Sequence, residues 1–329
     1  MRMPLRLRAI WLAAVLNITA GAVISCGSRT GLFGEESGSG GGGGSSSGTL
    51  SDGGRLDGTL TDVQQLDVPL IDVVPKPDVD RTDCPDADAT YIYVVTAQNE
   101  LFSFYPPDLA FKFVGNLVCP SSNNTTPFSM AVDRKGVAYV LYDDGQLYRV
   151  STATAACVKT PFMSHQDDFD TFGMGFASDM GGAAERLYVT DNDLGGSPLR
   201  GLGAIDTDTF KLSFIGSFGT QIRRSELTGT GDGRLFAYWP EPTPGQSGSH
   251  LTELNKATGQ ITAQTNLPIG QSNNAFAFAF WGGEFWIFTS GGVSTDVNRF
   301  SPMTGATTTP TTHPSTIVGA GVSTCAPQL

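Results

Sequence analysis

The chain has 329 residues, with 20 basic and 32 acidic side chains and a formal net charge of −12 at pH 7. An acidic balance of that size repels a phosphate backbone, so nucleic acid is excluded as the expected partner. Twenty phenylalanines, eight tyrosines and four tryptophans are enough for one good-sized all-β domain.

Arg2, Arg6 and Arg8 open the chain, followed by an uncharged apolar run from Ala9 to Ala22 and then Val23-Ile24-Ser25-Cys26. The run suits a signal h-region but is short, and polar at Asn17 and Thr19, for a permanent span. An uncleaved anchor helix is the other reading, and both export the rest of the chain. The small Ser25 before Cys26, placed after basic and apolar segments, resembles the lipobox of bacterial lipoproteins. That resemblance implies that residues 1–25 are a signal peptide, that Cys26 carries a diacylglycerol and that the protein is held at the cell envelope through this lipid. In such families an Asp after the cysteine commonly retains the protein at the inner membrane. Gly27 stands there, which favours the outer membrane.

Residues 26–83 cannot build a core. They run through a nearly pure Gly/Ser tract from Gly38 to Gly48 and contain no aromatic after Phe33. Asp52, Asp57, Asp62, Asp67 and Asp72 then recur every five residues before Val74-Pro75-Lys76-Pro77. A calcium-binding repeat needs oxygens and glycines at tighter spacing, so these carboxylates read as a solvated, self-repelling spacer. A disordered linker of this length spans roughly 40 Å. A lipobox followed by an acidic Asp/Gly/Ser-rich spacer resembles many myxobacterial lipoproteins.

Residues 84–329 repeat with a period of about 48 residues. An aromatic strand recurs at Ile92-Tyr93-Val94, Ala138-Tyr139-Val140, Leu187-Tyr188-Val189, Leu235-Phe236-Ala237 and Phe285-Trp286-Ile287. A turn recurs at Ser151-x-x-Thr154, Asp206-x-x-Thr209, Asn255-x-x-Thr258-Gly259 and Ser301-x-x-Thr304-Gly305, where the first side chain can bond the backbone ahead and glycine supplies positive φ. Small residues recur within apolar strands at Ala131, Ala177, Gly229 to Gly231, Ala279 and Gly321, as crowding around an axis requires. Four strands per unit at even spacing predict an all-β, five-bladed β-propeller. The last small-residue strand lacks a successor and the first aromatic strand lacks a predecessor. Pairing the C-terminal strand with the N-terminal blade therefore closes the ring.

With Cys26 assigned to lipid, Cys84, Cys119, Cys157 and Cys325 remain, an even set in an oxidising compartment. Four cysteines allow three connectivities. Cys84 and Cys325 flank the two halves of the composite blade at the same end, so a Cys84–Cys325 bridge would lock the ring. Cys119 with Cys157 follows by elimination.

The connections inside each unit separate by end. Those from the first to the second strand and from the third to the fourth are tight, whereas the long ones belong to the opposite end, which is the expected ligand face. His165, Asp167, Asp168 and Asp170 form its densest polar cluster, with Asp191 and Asp193 on the next loop and Arg200, Arg223, Arg224 and Trp239 nearby. Carboxylates with imidazole can hold a divalent cation such as calcium or act as acid and base, but no diagnostic ligand spacing is present and a solvated acidic loop is the plainer reading. The arginines can bind a carboxylate or sugar acid through bidentate contacts, but balancing the aspartates is the plainer reading. Trp239 can stack on a sugar or pack against its own loop. No carboxylate pair follows the small residues of the axial strands, and no nucleophile elbow, phosphate loop or zinc helix occurs. No cofactor is required. The expected function is a monomeric, surface-tethered binding or scaffolding module for a glycan, peptide or protein. The alternative is a propeller-class hydrolase or lyase that uses a bound divalent cation near His165 and Asp168.

Overall fold

The structure is a computed structural model that describes Cys84 and residues 90–329, apart from 123, 180–181, 193–199, 219–221, 223, 242–247 and 271–274. The signal, lipidation and linker readings at residues 1–83, Asp193 and Arg223 lie outside the described residues.

The first strands are β1 (Ile92–Thr96), β2 (Glu100–Tyr105) and β3 (Ala110–Asn116). The second blade is β4 (Pro127–Val132), β5 (Val137–Tyr142), β6 (Leu147–Ser151) and β7 (Cys157–Lys159). The third is β8 (Phe172–Ser178), β9 (Glu185–Asp191), β10 (Leu202–Ile205) and β11 (Leu212–Gly216). The fourth is β12 (Glu226–Gly229), β13 (Leu235–Pro240), β14 (Ser249–Leu254) and β15 (Ile261–Leu267), and the fifth is β16 (Ala275–Trp281), β17 (Glu284–Ser290), β18 (Thr295–Phe300) and β19 (Thr307–His313). The last strand, β20 (Ile317–Val322), returns to pair antiparallel with β1, Ile92 opposite Val322 and Val94 opposite Ala320. The sheet β20-β1-β2-β3 is therefore the first blade, and the chain is an all-β propeller of five four-stranded blades, closed as the repeat count requires. Inner strands touch in the ring order β20, β4, β8, β12, β16 and back to β20.

The second strand of each blade is apolar on both faces because both faces are covered. In β1, Ile92 and Val94 pack against the fifth blade while Val95 packs against the second. In β17, Trp286 and Phe288 face the first blade while Phe285 and Ile287 face the fourth. The core is thus five wedges, one between each neighbouring pair of blades.

The innermost strands approach so closely that some positions exclude a side chain. A Cβ on Gly229 would lie 2.1 Å from the Phe176 carbonyl oxygen, and one on Gly173 would lie 2.0 Å from that of Ser225. The fourth blade departs from the expected register. Its inner strand ends at Gly229, and Thr230 to Gly233 form the turn, with Gly233 at φ 89°.

The recurring turn between third and fourth strands is built as its residues imply. Asp206 Oδ1 accepts from the Asp208 and Thr209 amides at 3.0 and 2.8 Å, and Asn255 Oδ1 accepts from Ala257 N at 2.9 Å. The left-handed residue that follows is Gly259 or Gly305 in two blades but Ala155 and Phe210 in two others. Both of the latter are buried in wedges, so packing offsets the cost of positive φ.

Disulfides join Cys84 to Cys325 and Cys119 to Cys157, with Cα atoms 6.1 and 5.1 Å apart.

Candidate functional site

The end bearing the long connections, 117–126, 160–171, 192–201, 217–225, 241–248 and 268–274, is the loop end; the opposite end carries turns as tight as 282–283. The 160–171 connection folds down the outer side of the third blade, where Gln166 Oε1 accepts from Leu212 N at 3.1 Å and Asp167 Oδ2 accepts from Phe214 N at 3.0 Å. These amides lie on the outer strand β11, so the two side chains cap a sheet edge that would otherwise offer free donors. His165, Asp167 and Asp168 adopt φ of 64°, 51° and 62°, a region that His, Asp and Asn tolerate better than most residues.

The remaining candidates fall into two groups. His165 Nδ1 bonds Asp170 Oδ1, Asp168 faces Arg200 Nη1 at 3.5 Å, and the buried Asp191 accepts from Arg200 N at 2.7 Å. The Arg200 guanidinium also lies 4.9 Å from the Phe214 ring centre. The structure thus brings Arg200 together with Asp168 and Asp191, while His165 pairs with Asp170 instead of Asp168. Trp239 stands apart and is buried: its Nε1 donates to Thr252 Oγ1 at 3.0 Å, and its ring stacks on His250 with centroids 3.9 Å apart. His250 in turn meets Glu241 Oε2 at 3.1 Å. Among the described residues, no three His, Cys, Asp or Glu side chains are grouped to hold a metal ion.

Polar groups converge instead on the propeller axis. Contacts between blades that are not neighbours in the ring must cross that axis, and two sets do so. At the loop end, Glu226 at the head of β12 in the fourth blade is completely desolvated and accepts from Ser129 Oγ of the second blade at 2.7 Å, and from the Met174 amide of the third. Burial pushes its carboxyl well above the ordinary range, opposed by those hydrogen bonds and by the nearby Arg224 charge. Arg224 belongs to the same blade and lies 5.8 Å from the Phe128 ring centre in the second blade and 5.6 Å from that of Phe276 in the fifth. Burial depresses its basicity, and its Nε is buried with no hydrogen-bond partner. An unmet buried donor of this kind costs about 1–3 kcal/mol.

The turn end of the axis is closed by a second set. Glu185 accepts from Arg134 N at 2.6 Å and from Thr324 Oγ1 of the first blade at 2.8 Å. The buried Arg134 side chain reaches Ser178, Thr324 and Cys84. Burial raises Glu185 from 4.5 to about 7 despite these bonds.

Glu226 and Glu185 were missed by looking at the residue after each small axial position. Glu226 starts its strand, where other inner strands begin with Phe172, Ala275 or Ile317. An acid at a position otherwise apolar was the readable signal. Glu185 starts a second strand and reaches the axis sideways through Arg134, which no repeat comparison shows.

The fold and its axial groups define a five-bladed β-propeller. No protein-family model matches the chain, and no curated protein matches its sequence. Similar solved structures include a nidogen/laminin complex (13% identity, 71% of this chain and 98% of that chain, TM-score 0.42). They also include a luciferin-regenerating enzyme (12%, 72% and 79%, TM-score 0.41) and the Dos1 propeller (12%, 70% and 55%, TM-score 0.37). At these values the likenesses bear on no question of ligand or reaction, and the fold assignment stands on the strand pairings themselves.

Proposed function

We propose that this chain is a lipid-anchored envelope protein whose propeller is a binding or scaffolding module for a glycan, peptide or protein. The observation that carries the binding role is the convergence of Arg224 and Glu226 of the fourth blade with Ser129 of the second at the loop end of a ring closed by strand pairing and a disulfide. Rigid elements holding polar groups of low exposure at one mouth are the usual basis of a recognition site. The anchoring role rests on the lipobox-like Ser25-Cys26 and the spacer that follows.

A cation-dependent hydrolase at His165 and Asp168 is the less favoured reading, because His165 is engaged by Asp170 and Asp168 by Arg200.

The test uses the full chain expressed with its own N-terminus. Cys26→Ser is expected to move the protein from the membrane fraction to the soluble fraction and to abolish incorporation of labelled fatty acid. Unchanged membrane retention without label would overturn the anchor. Crosslinked partners of the tethered protein are expected to be lost when Ser129 is replaced by alanine and Glu226 by glutamine in a chain that keeps its thermal midpoint, and an unchanged set would overturn the assigned face.

A further inference from the structure

We propose that the loop end of the propeller axis carries a carboxylate-binding subsite anchored by Arg224, which takes the acid group of a ligand. The inference rests on the binding-module reading and names the chemistry its ligand must carry.

Aromatic rings of two other blades, Phe128 and Phe276, lie against the Arg224 guanidinium. Contacts of this kind engage the face of a guanidinium and leave the N–H donors at its rim to a planar acceptor. Among the described residues no carboxylate or carbonyl is hydrogen-bonded to this side chain, and its Nε is buried without a partner. Arg200 Nε is likewise buried without a partner, but its guanidinium faces Asp168 at 3.5 Å, whereas no described carboxylate pairs with Arg224. Arg134 is tied to Ser178 and Thr324, and Arg234 makes a bidentate pair with Glu253 at 2.8 Å on both arms. Glu226, two residues on, is the carboxyl whose charge acts on Arg224, but it accepts from Ser129 Oγ and the Met174 amide. The site therefore holds a cation near Glu226 to which no described carboxylate is hydrogen-bonded.

The size of the charge selects the anion. One guanidinium balances one carboxylate and forms the bidentate pair that its fork geometry fits. A dianionic phosphate would be half neutralised, beside a buried carboxyl and on a chain of net charge −12. The acid can come from a sugar acid or from the C-terminus of a peptide, which present the same group.

Binding of five probes to the purified full chain tests this: trigalacturonate, its methyl ester, a short peptide with a free C-terminus, the same peptide as an amide, and inorganic phosphate. One free acid is expected to bind, with its ester or amide weaker by about tenfold or more, as loss of a charge-assisted hydrogen bond requires. Which acid binds identifies the source. Arg224→Gln is expected to lose about tenfold or more of that affinity, and Arg224→Lys, which keeps the charge but not the fork, to lose most of it as well. An unchanged thermal midpoint shows that the variant is folded. If Arg224→Gln does not fold, the lysine variant carries the comparison.

Equal binding of acid and ester, tighter binding of phosphate, no binding of either acid at millimolar concentration, or full affinity in a folded Arg224 variant would each overturn the subsite. Partner capture that depends on Ser129 and Glu226 while both acids fail would overturn this inference alone and leave the binding module standing.

Discussion

Two axial carboxyls show how one residue's surroundings set its chemistry. Glu226 and Glu185 are both glutamates on inner or next-to-inner strands, and both have their protonation raised by burial. Glu185 makes the consequence measurable. In the unfolded chain it titrates near 4.5 and in the folded protein near 7, so between these values the folded state holds more protons. Its contribution is fully present below pH 4.5 and is lost as pH rises through 7, a change of about 3 kcal/mol. Urea unfolding at pH 5 and pH 8 is expected to show that loss in the wild type and to show most of it removed in Glu185→Gln. An equal slope in both proteins would mean that the carboxyl does not titrate in this window. The same scale explains why His165, Asp167 and Asp168 looked like a metal or acid–base cluster. Their residue types are those that tolerate left-handed backbone and cap strand amides, and type alone does not separate that use from ligation.

Among the elements, the inner strands were legible as a class and not as a register. Small residues amid apolar ones marked all five, because close backbone approach leaves no room for larger side chains there. In the fourth blade the marked stretch, Gly229 to Gly231, straddles the end of the strand and the turn, since glycine serves both close approach and positive φ. The crowding is testable. Gly229→Ala places a Cβ 2.1 Å from the Phe176 oxygen and 2.4 Å from the Ala177 Cβ, and is expected to destabilise by about 3 kcal/mol or more. Gly270→Ala, where nothing lies within 4 Å, is expected to stay within about 0.5 kcal/mol of wild type. Thermal melts of the two variants check this, and equal midpoints would contradict the close approach. Trp239 illustrates the limit at this scale. Its place at the end of an aromatic strand fits either a ligand platform or a wedge residue, and stacking on His250 from the next strand decides for packing.

For the whole molecule, the core is divided into five wedges, so no blade is stable without both neighbours and the ring must be closed. Closure has two parts: the antiparallel pairing of β20 with β1, and the Cys84–Cys325 bridge across a sequence separation of 241 residues. In the chain-entropy model the long bridge contributes roughly 5 kcal/mol and the Cys119–Cys157 bridge, with a separation of 38, roughly 4 kcal/mol. Replacing Cys84 and Cys325 by serine is expected to leave a folded propeller, held by the strand pairing, whose denaturation midpoint falls further than when Cys119 and Cys157 are replaced. A larger effect from the short bridge would show that native packing, not loop length, sets their contributions.

By itself the sequence determined the blade count, the four strands of each blade, the composite first blade, that four thiols remain to pair, and the end that carries the long loops. All follow from periodicity, from residues that only certain backbone shapes accept, and from an even thiol count. Tertiary structure alone decided that the 160–171 loop lies down the side of the third blade and that Glu226 meets Ser129 and Glu185 meets Thr324 across the axis. Those meetings join blades that are not neighbours, and a repeating sequence specifies what each blade resembles without specifying which atoms face it across the ring.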